Sequence, residues 1–164
     1  MRIPLKSMEQ LMPFATAGEL AAKNTKAVVS VTPDATVFVA MERMAQMEIG
    51  LVVVLDGDQL VGVLSERDCA RAVVLRSVDA RTTPVRELMT TRVYTVAPET
   101  PTPECVKLMH DKGFRHLPVA TGGRVQGVLS VRDFMGALIE RHERLLRRFQ
   151  EERMTLLFPD PGSY

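Results

Sequence analysis

Cysteine is scarce in this chain: Cys69 and Cys105 are the two among 164 residues. Two thiols cannot build a disulfide framework, and no clustered His and Cys offers a zinc site. They are read as small buried apolar side chains in a reducing compartment. An excess of one charge is also missing, with 21 Lys+Arg against 20 Asp+Glu. That excludes the broad basic face a nucleic-acid partner requires, while leaving room for a small basic pocket for phosphates. No stretch approaches the ~20 apolar residues that span a bilayer. Residues 1–14 lack the apolar core of a signal peptide. The expectation is a soluble cytoplasmic protein without a membrane partner. Catalytic signatures are absent too: no Gly-x-Ser-x-Gly elbow, Walker loop, His-Glu-x-x-His or Cys-x-x-Cys. Nothing in the chain competes with ligand binding, and no enzyme is expected.

What the chain does have is an internal duplication. Gly62-Val63-Leu64-Ser65-Glu66-Arg67-Asp68 returns 65 residues later as Gly127-Val128-Leu129-Ser130-Val131-Arg132-Asp133. The same gapless offset carries Val28 onto Val93, Val31 onto Val96, Pro33 onto Pro98, Met44 onto Met109, Val54 onto Val119 and Gly57 onto Gly122. Agreement at one spacing over this span marks two copies of one unit. Each copy alone would bury a modest core, so the two are expected to share one.

Each unit reads as β-α-β-β-α after a leading helix. Thr16 caps the first leading helix, with Glu19 three residues on. Thr83 caps its counterpart over 83–89, with Pro84 at the first helical position. The β-branched runs 27–31 and 93–96 read as strands stopped by Pro33 and Pro98. Helices follow, in which Met41, Met44, Met47 and Met109 are taken as core filling. Asp56-Gly57 and Gly122-Gly123 then mark two hairpins between apolar runs. Ser65 and Ser130 open the last helix of each unit, with Asp68 and Asp133 at its third position. Residues 76–84 form a polar linker. A long helix is expected from Met135 to about Leu157, ended by Pro159 and Pro161. Its apolar stripe (Leu138, Leu145, Phe149, Leu156) needs a partner surface, most simply another copy of the chain. The domains expected are a lead-in over 1–16, repeats over 17–80 and 81–141, and a terminal helix and tail over 142–164.

The chemistry gathers at the two Ser-x-Arg-Asp entrances. A helix N-terminus favours phosphate. The hydroxyls of Ser65 and Ser130 can donate to a phosphate oxygen, and Arg67 and Arg132 add charge-assisted bonds. Asp68 and Asp133 would repel phosphate but accept vicinal ribose hydroxyls. Together they make a nucleotide-shaped set. Helix capping alone also accounts for Ser and Asp at these places; it does not account for Arg-Asp recurring with them. Phe114-Arg115-His116 stands at the second strand entry, where the first unit has apolar Ile49-Gly50-Leu51. Arg115 and His116 read as an anion-binding pair, with His116 able to titrate near neutral pH. His110 and His142 read as solvated.

With Val31-Thr32-Pro33, the apolar hairpins and both Gly-x-x-Ser-x-Arg-Asp copies in place, residues 17–141 resemble a tandem pair of cystathionine-β-synthase-type (CBS) domains, or Bateman module. The resemblance implies an α/β (α+β) fold, two β-α-β-β-α repeats packed about a pseudo-two-fold axis. It implies two clefts for adenosyl ligands such as AMP, ADP, ATP, NAD or S-adenosylmethionine, each drawing on both repeats. One cleft would take Ser65, Arg67 and Asp68 with Val96, Phe114 and Arg115. The other would take Ser130, Arg132 and Asp133 with Val31, Ile49 and Gly50. His116 would serve phosphates in either. Stand-alone bacterial CBS pairs of this kind tend to dimerise as flat discs. The leading reading is therefore a nucleotide-sensing regulatory module, with a homodimer and a separate, unidentified effector protein as partners. A dimerisation module with empty clefts and a nucleotide-modifying enzyme are the alternatives.

Overall fold

The computed structural model describes residues 14–24 and 27–157. Pro4, Pro13, Pro159, Pro161 and most of the 1–16 lead-in lie outside that range, as does the Leu156 side chain. The elements, in order, are α1 (Ala17–Lys23), β1 (Ser30–Val31), α2 (Val37–Gln46), β2 (Leu51–Asp56), β3 (Gln59–Ser65) and α3 (Glu66–Arg76). A 3₁₀ turn over Val85–Glu87 follows, then α4 (Thr102–Lys112), β4 (His116–Thr121), β5 (Arg124–Ser130) and α5 (Val131–Leu157).

Local chemistry sets most boundaries. Thr16 and Glu19 close a reciprocal capping box on α1. Ser65 and Asp68 do the same for α3. The hairpins β2–β3 and β4–β5 are antiparallel, and each carries an irregularity at the same place, between Val54 and Leu55 and between Val119 and Ala120. Both Gly122 and Gly123 have positive φ, +57° and +81°, which the two-residue turn demands. β1 runs parallel to β2 at one edge of the first hairpin.

Three expectations change in the structure. The strands expected over 27–31 and 93–96 shrink to Ser30–Val31 and to a single parallel bridge of Val96 with Val119. Each meets its hairpin along only one or two residues before a proline removes a donor. The helix expected over 83–89 is the short 3₁₀ turn, with Pro84 itself at the cap and no side-chain cap bond. The long helix begins at Val131 rather than Met135, so the last helix of the second repeat and the terminal helix are one.

The two units build two cores rather than the single shared one expected, and neither core is private to its repeat. Ala17 and Leu20 of α1 pack with Cys105, Met109, Leu117, Val119, Leu129 and Phe134 of the second repeat. Val85, with Leu88 and Met89, packs with Val37, Met44, Val54, Leu64 and Cys69 of the first. Each leading segment completes the other repeat. Backbone bonds tie the exchange down: Ala17 and Gly18 N–H donate to Thr100 and Pro98 O, and Val37 and Phe38 N–H donate to Thr83 and Ala80 O. Cys69 and Cys105 are fully buried. Burial, reinforced by the Asp68 charge, pushes the Cys69 thiol up to about 11, and burial raises Cys105 as well. Neither is a nucleophile near neutral pH. Met44 and Met109 fill the cores as expected, but Met41 of α2 and Met47 just past its end lie exposed.

Candidate functional site: two crevices on one seam

Two crevices flank the junction between the repeats. The first, about 580 Å³, is lined by Ser65, Arg67 and Asp68 together with Phe114, Arg115 and His116 of the other repeat. The second, about 550 Å³, is lined by Ser130, Arg132 and Asp133 with Ile49, Gly50 and again His116. Gly50, Leu51, Glu66, Arg115 and His116 belong to the walls of both.

A matched pair of backbone bonds holds each helix entrance to the strand entry of its own repeat. Glu66 N–H donates to Gly50 O at 3.1 Å, and Val131 N–H donates to Arg115 O at 3.0 Å. The strand entries therefore reach the seam together with the Ser-x-Arg-Asp segments. Val31 and Val96 do not reach it. They are 5% and 9% exposed and pack in the two cores. Val28 and Val29 line the second crevice in the place expected for Val31, and Tyr94 lines the first in the place expected for Val96.

The serine hydroxyls also differ from the expectation. Ser65 Oγ donates to Asp68 Oδ2 at 2.5 Å, and Ser130 Oγ to Asp133 Oδ2 at 2.6 Å. The same Oδ2 atoms accept the backbone N–H of Ser65 and Ser130 at 3.3 and 2.6 Å. Asp68 N–H in turn donates to Ser65 Oγ at 3.3 Å. The serines orient the carboxylates, and Ser65 Oγ also caps the α3 entrance. The guanidiniums of Arg67, Arg115 and Arg132 line the crevices, and none of them forms a salt bridge with a described residue. In both pairs the engaged carboxylate oxygen is Oδ2.

His116 sits where the two crevices meet. A Cβ on Gly50 would come within 3.3 Å of His116 Cε1 and 3.5 Å of Glu66 Oε2, so the absent side chain makes room for both. Burial and the neighbouring Arg115 charge hold His116 below its usual value, opposed by Asp133 and Glu66. The imidazole is therefore neutral at pH 7. The unfolded chain binds the extra proton first, so stability falls as pH drops below the ordinary histidine value of ~6.5. Urea titrations at pH 7.5 and 5.5 should show this loss, and His116→Gln should reduce it. An unchanged pH slope in the variant would refute the assignment. His110 and His142 are exposed, as expected.

Sequence reasoning missed Glu66, Glu48, Arg71, Arg92 and Tyr94, all of which line a crevice. Among the described residues no group of three or more His, Cys, Asp or Glu could hold a metal ion.

The family model described as "CBS domain" matches twice, over residues 17–75 and 85–140. The chain belongs to the CBS-domain family. It is 35% identical over 122 residues to the mitochondrial CBS domain-containing protein CBSX3 of Arabidopsis thaliana, covering 71% of this chain and 59% of that one. A solved CBS-domain protein from Burkholderia ambifaria MC40-6 superposes with TM-score 0.72 at 36% identity, over 77% of this chain and 95% of its own. The CBS domain pair of protein MJ0100, solved with 5′-methylthioadenosine and S-adenosyl-L-methionine, shares the fold at TM-score 0.70 and 18% identity, over 79% of this chain and 99% of that one. A CBS pair is a regulatory module, and its two repeats here are the mixed α/β units the duplication implied. Among the described residues no helix of this CBS pair is long and apolar enough to cross a membrane.

Proposed function

We propose that this CBS pair is a cytoplasmic adenosyl-ligand sensor. The observation that carries the reading is that both crevices combine a carboxylate fixed by its serine, a guanidinium without a salt bridge to any described residue, and the strand entry of the other repeat. The carboxylates, Asp68 and Asp133, take the ribose hydroxyls. Arg67, Arg115, Arg132 and His116 serve the phosphates, and Ile49, Gly50 and Phe114 wall the base. AMP, ADP, ATP, NAD and S-adenosylmethionine are the candidate ligands; the adenosyl ligands bound by the MJ0100 pair support the class. The ligand shifts the packing of the repeats only as far as its affinities for two arrangements differ. An unidentified effector protein reads the change.

The working unit is a homodimer. Met135, Leu138, Ile139, Leu146 and Phe149 form an exposed apolar stripe on α5, 45–55% exposed. It borders an apolar groove of about 630 Å³ between α4 and α5. The repeat limits are taken as 17–80 and 81–141, with α5 running on past the second.

The test is thermal unfolding with adenine nucleotides, after native mass spectrometry of what copurifies. A ligand at ten times its dissociation constant adds about 1.4 kcal/mol to stability. Asp68→Ala and Asp133→Ala should each reduce the shift, both residues being at the surface of the seam rather than in a core. No shift with any adenosyl ligand would leave the dimerisation-module reading in its place. Turnover of ATP or NAD by the purified protein would favour the enzyme reading.

A further inference from the structure

The duplication makes the two crevices alike in frame, and the positions where the copies differ make them unlike in charge. The first crevice is lined by four guanidiniums, Arg67, Arg71, Arg92 and Arg115, against the carboxylates of Glu66 and Asp68. None of the four forms a salt bridge with a described residue. The second is lined by Arg115 and Arg132 against Glu48, Glu66 and Asp133. At the 65-residue offset, Arg92 corresponds to Ala27, Arg71 to Gly136 and Gly113 to Glu48. All three exchanges push the same way: they add cations to the first crevice, and a carboxylate to the second. Glu48 is held at φ +50°, where its counterpart Gly113 has φ +71°. That region costs a non-glycine residue energy, so the carboxylate stands at a position where glycine would be easier.

The base-side walls differ as well. Tyr94 and Phe114 stack at 5.7 Å between ring centroids beside the first crevice. Their counterparts are Val29 and Ile49, which line the second. Both pairs offer an apolar surface to adenine; only the charge separates the crevices sharply. Arg115 is common to both walls, and one guanidinium cannot pair fully with phosphates on two sides.

We propose that the two crevices sort adenosyl ligands by charge: the one built on Ser65–Asp68 takes a nucleotide polyphosphate, and the one built on Ser130–Asp133 takes an adenosyl ligand without phosphate. The proposal rests on the adenosyl reading above and adds which ligand goes where. A polyphosphate meets four arginines in the first crevice, none in a salt bridge with a described residue, against two in the second, one of which is shared. An uncharged or cationic adenosyl group does not depend on those arginines.

Calorimetric titration of the full chain, with ATP and adenosine as probes, tests it. One ATP should bind per chain, and ATP-saturated protein should still take up adenosine. Arg92→Ala, at an exposed rim position, should weaken ATP about tenfold or more and leave adenosine unchanged. Asp133→Ala should remove the adenosine site and spare ATP. Two equal ATP sites, displacement of adenosine by ATP mole for mole, or equal weakening of both ligands by Arg92→Ala would overturn the sorting while leaving the adenosyl reading intact. Failure of both probes to bind would remove that reading and the sorting with it.

Discussion

Leu20→Ala should lower the unfolding free energy by about 2–5 kcal/mol, the cost of emptying a buried leucine site, and the damage should appear in the other repeat. Leu20 is 6% exposed and belongs by sequence to the first copy. It is buried in one core cluster with Met109, Leu117, Leu129 and Phe134, all of the second. Denaturant unfolding measures the size of the loss. Hydrogen exchange locates it: amides of β4 and β5 should lose protection before those of β2 and β3. Loss of protection in β2 and β3 first would mean that α1 supports its own repeat, contrary to the packing described.

Gly18→Ala should destabilise the protein by about 1–3 kcal/mol, the opposite of what helix propensity alone gives. Inside a free helix, alanine is better than glycine by about 1 kcal/mol. Here a Cβ would lie 2.9 Å from Pro98 Cβ and 3.0 Å from Pro98 O. Gly18 N–H also donates to that carbonyl at 2.7 Å. The neighbours are a proline ring and backbone, which cannot swing aside as a long side chain can. Contact therefore outweighs propensity, and α1 must back away from the second repeat. A rise in the denaturation midpoint of the variant would show that α1 is free to shift.

The repeated features were the ones legible in sequence. The hairpins followed from Asp-Gly and Gly-Gly between apolar runs, and the α1 and α3 caps from Thr16/Glu19 and Ser65/Asp68. Arg115 and His116 stood out because the first copy is apolar at the same place, whereas the pairing of residues 49–50 and 114–115 with the opposite helix entrances came from the family resemblance. What escaped was of two kinds. Partners distant in sequence leave no local period: nothing around Leu20 or Val85 announces which core either will enter. The strand runs ended short for the same reason, since Val96 finds only Val119 beside it. The second kind is residues that differ between the copies. Glu66 faces Val131 in the alignment of the repeats, Arg92 faces Ala27 and Glu48 faces Gly113. Arg92 and Glu48 carry no repeated signal yet make the crevices unequal, while Glu66 lines both. The serines illustrate the remaining limit. A cap and a ligand donor call for the same residue at the same place, and only the 2.5 Å and 2.6 Å bonds to Asp68 and Asp133 show where the hydroxyls are engaged.

The crossed seating of the leading segments has a mechanical corollary. A protease that cut the exposed peptide near Arg81 or Thr82 would sever the covalent tie between halves without parting them. Each fragment would still have its own end lodged in the body of its mate, like two hooks closed through one another. Pulling them apart would mean opening both interiors at once.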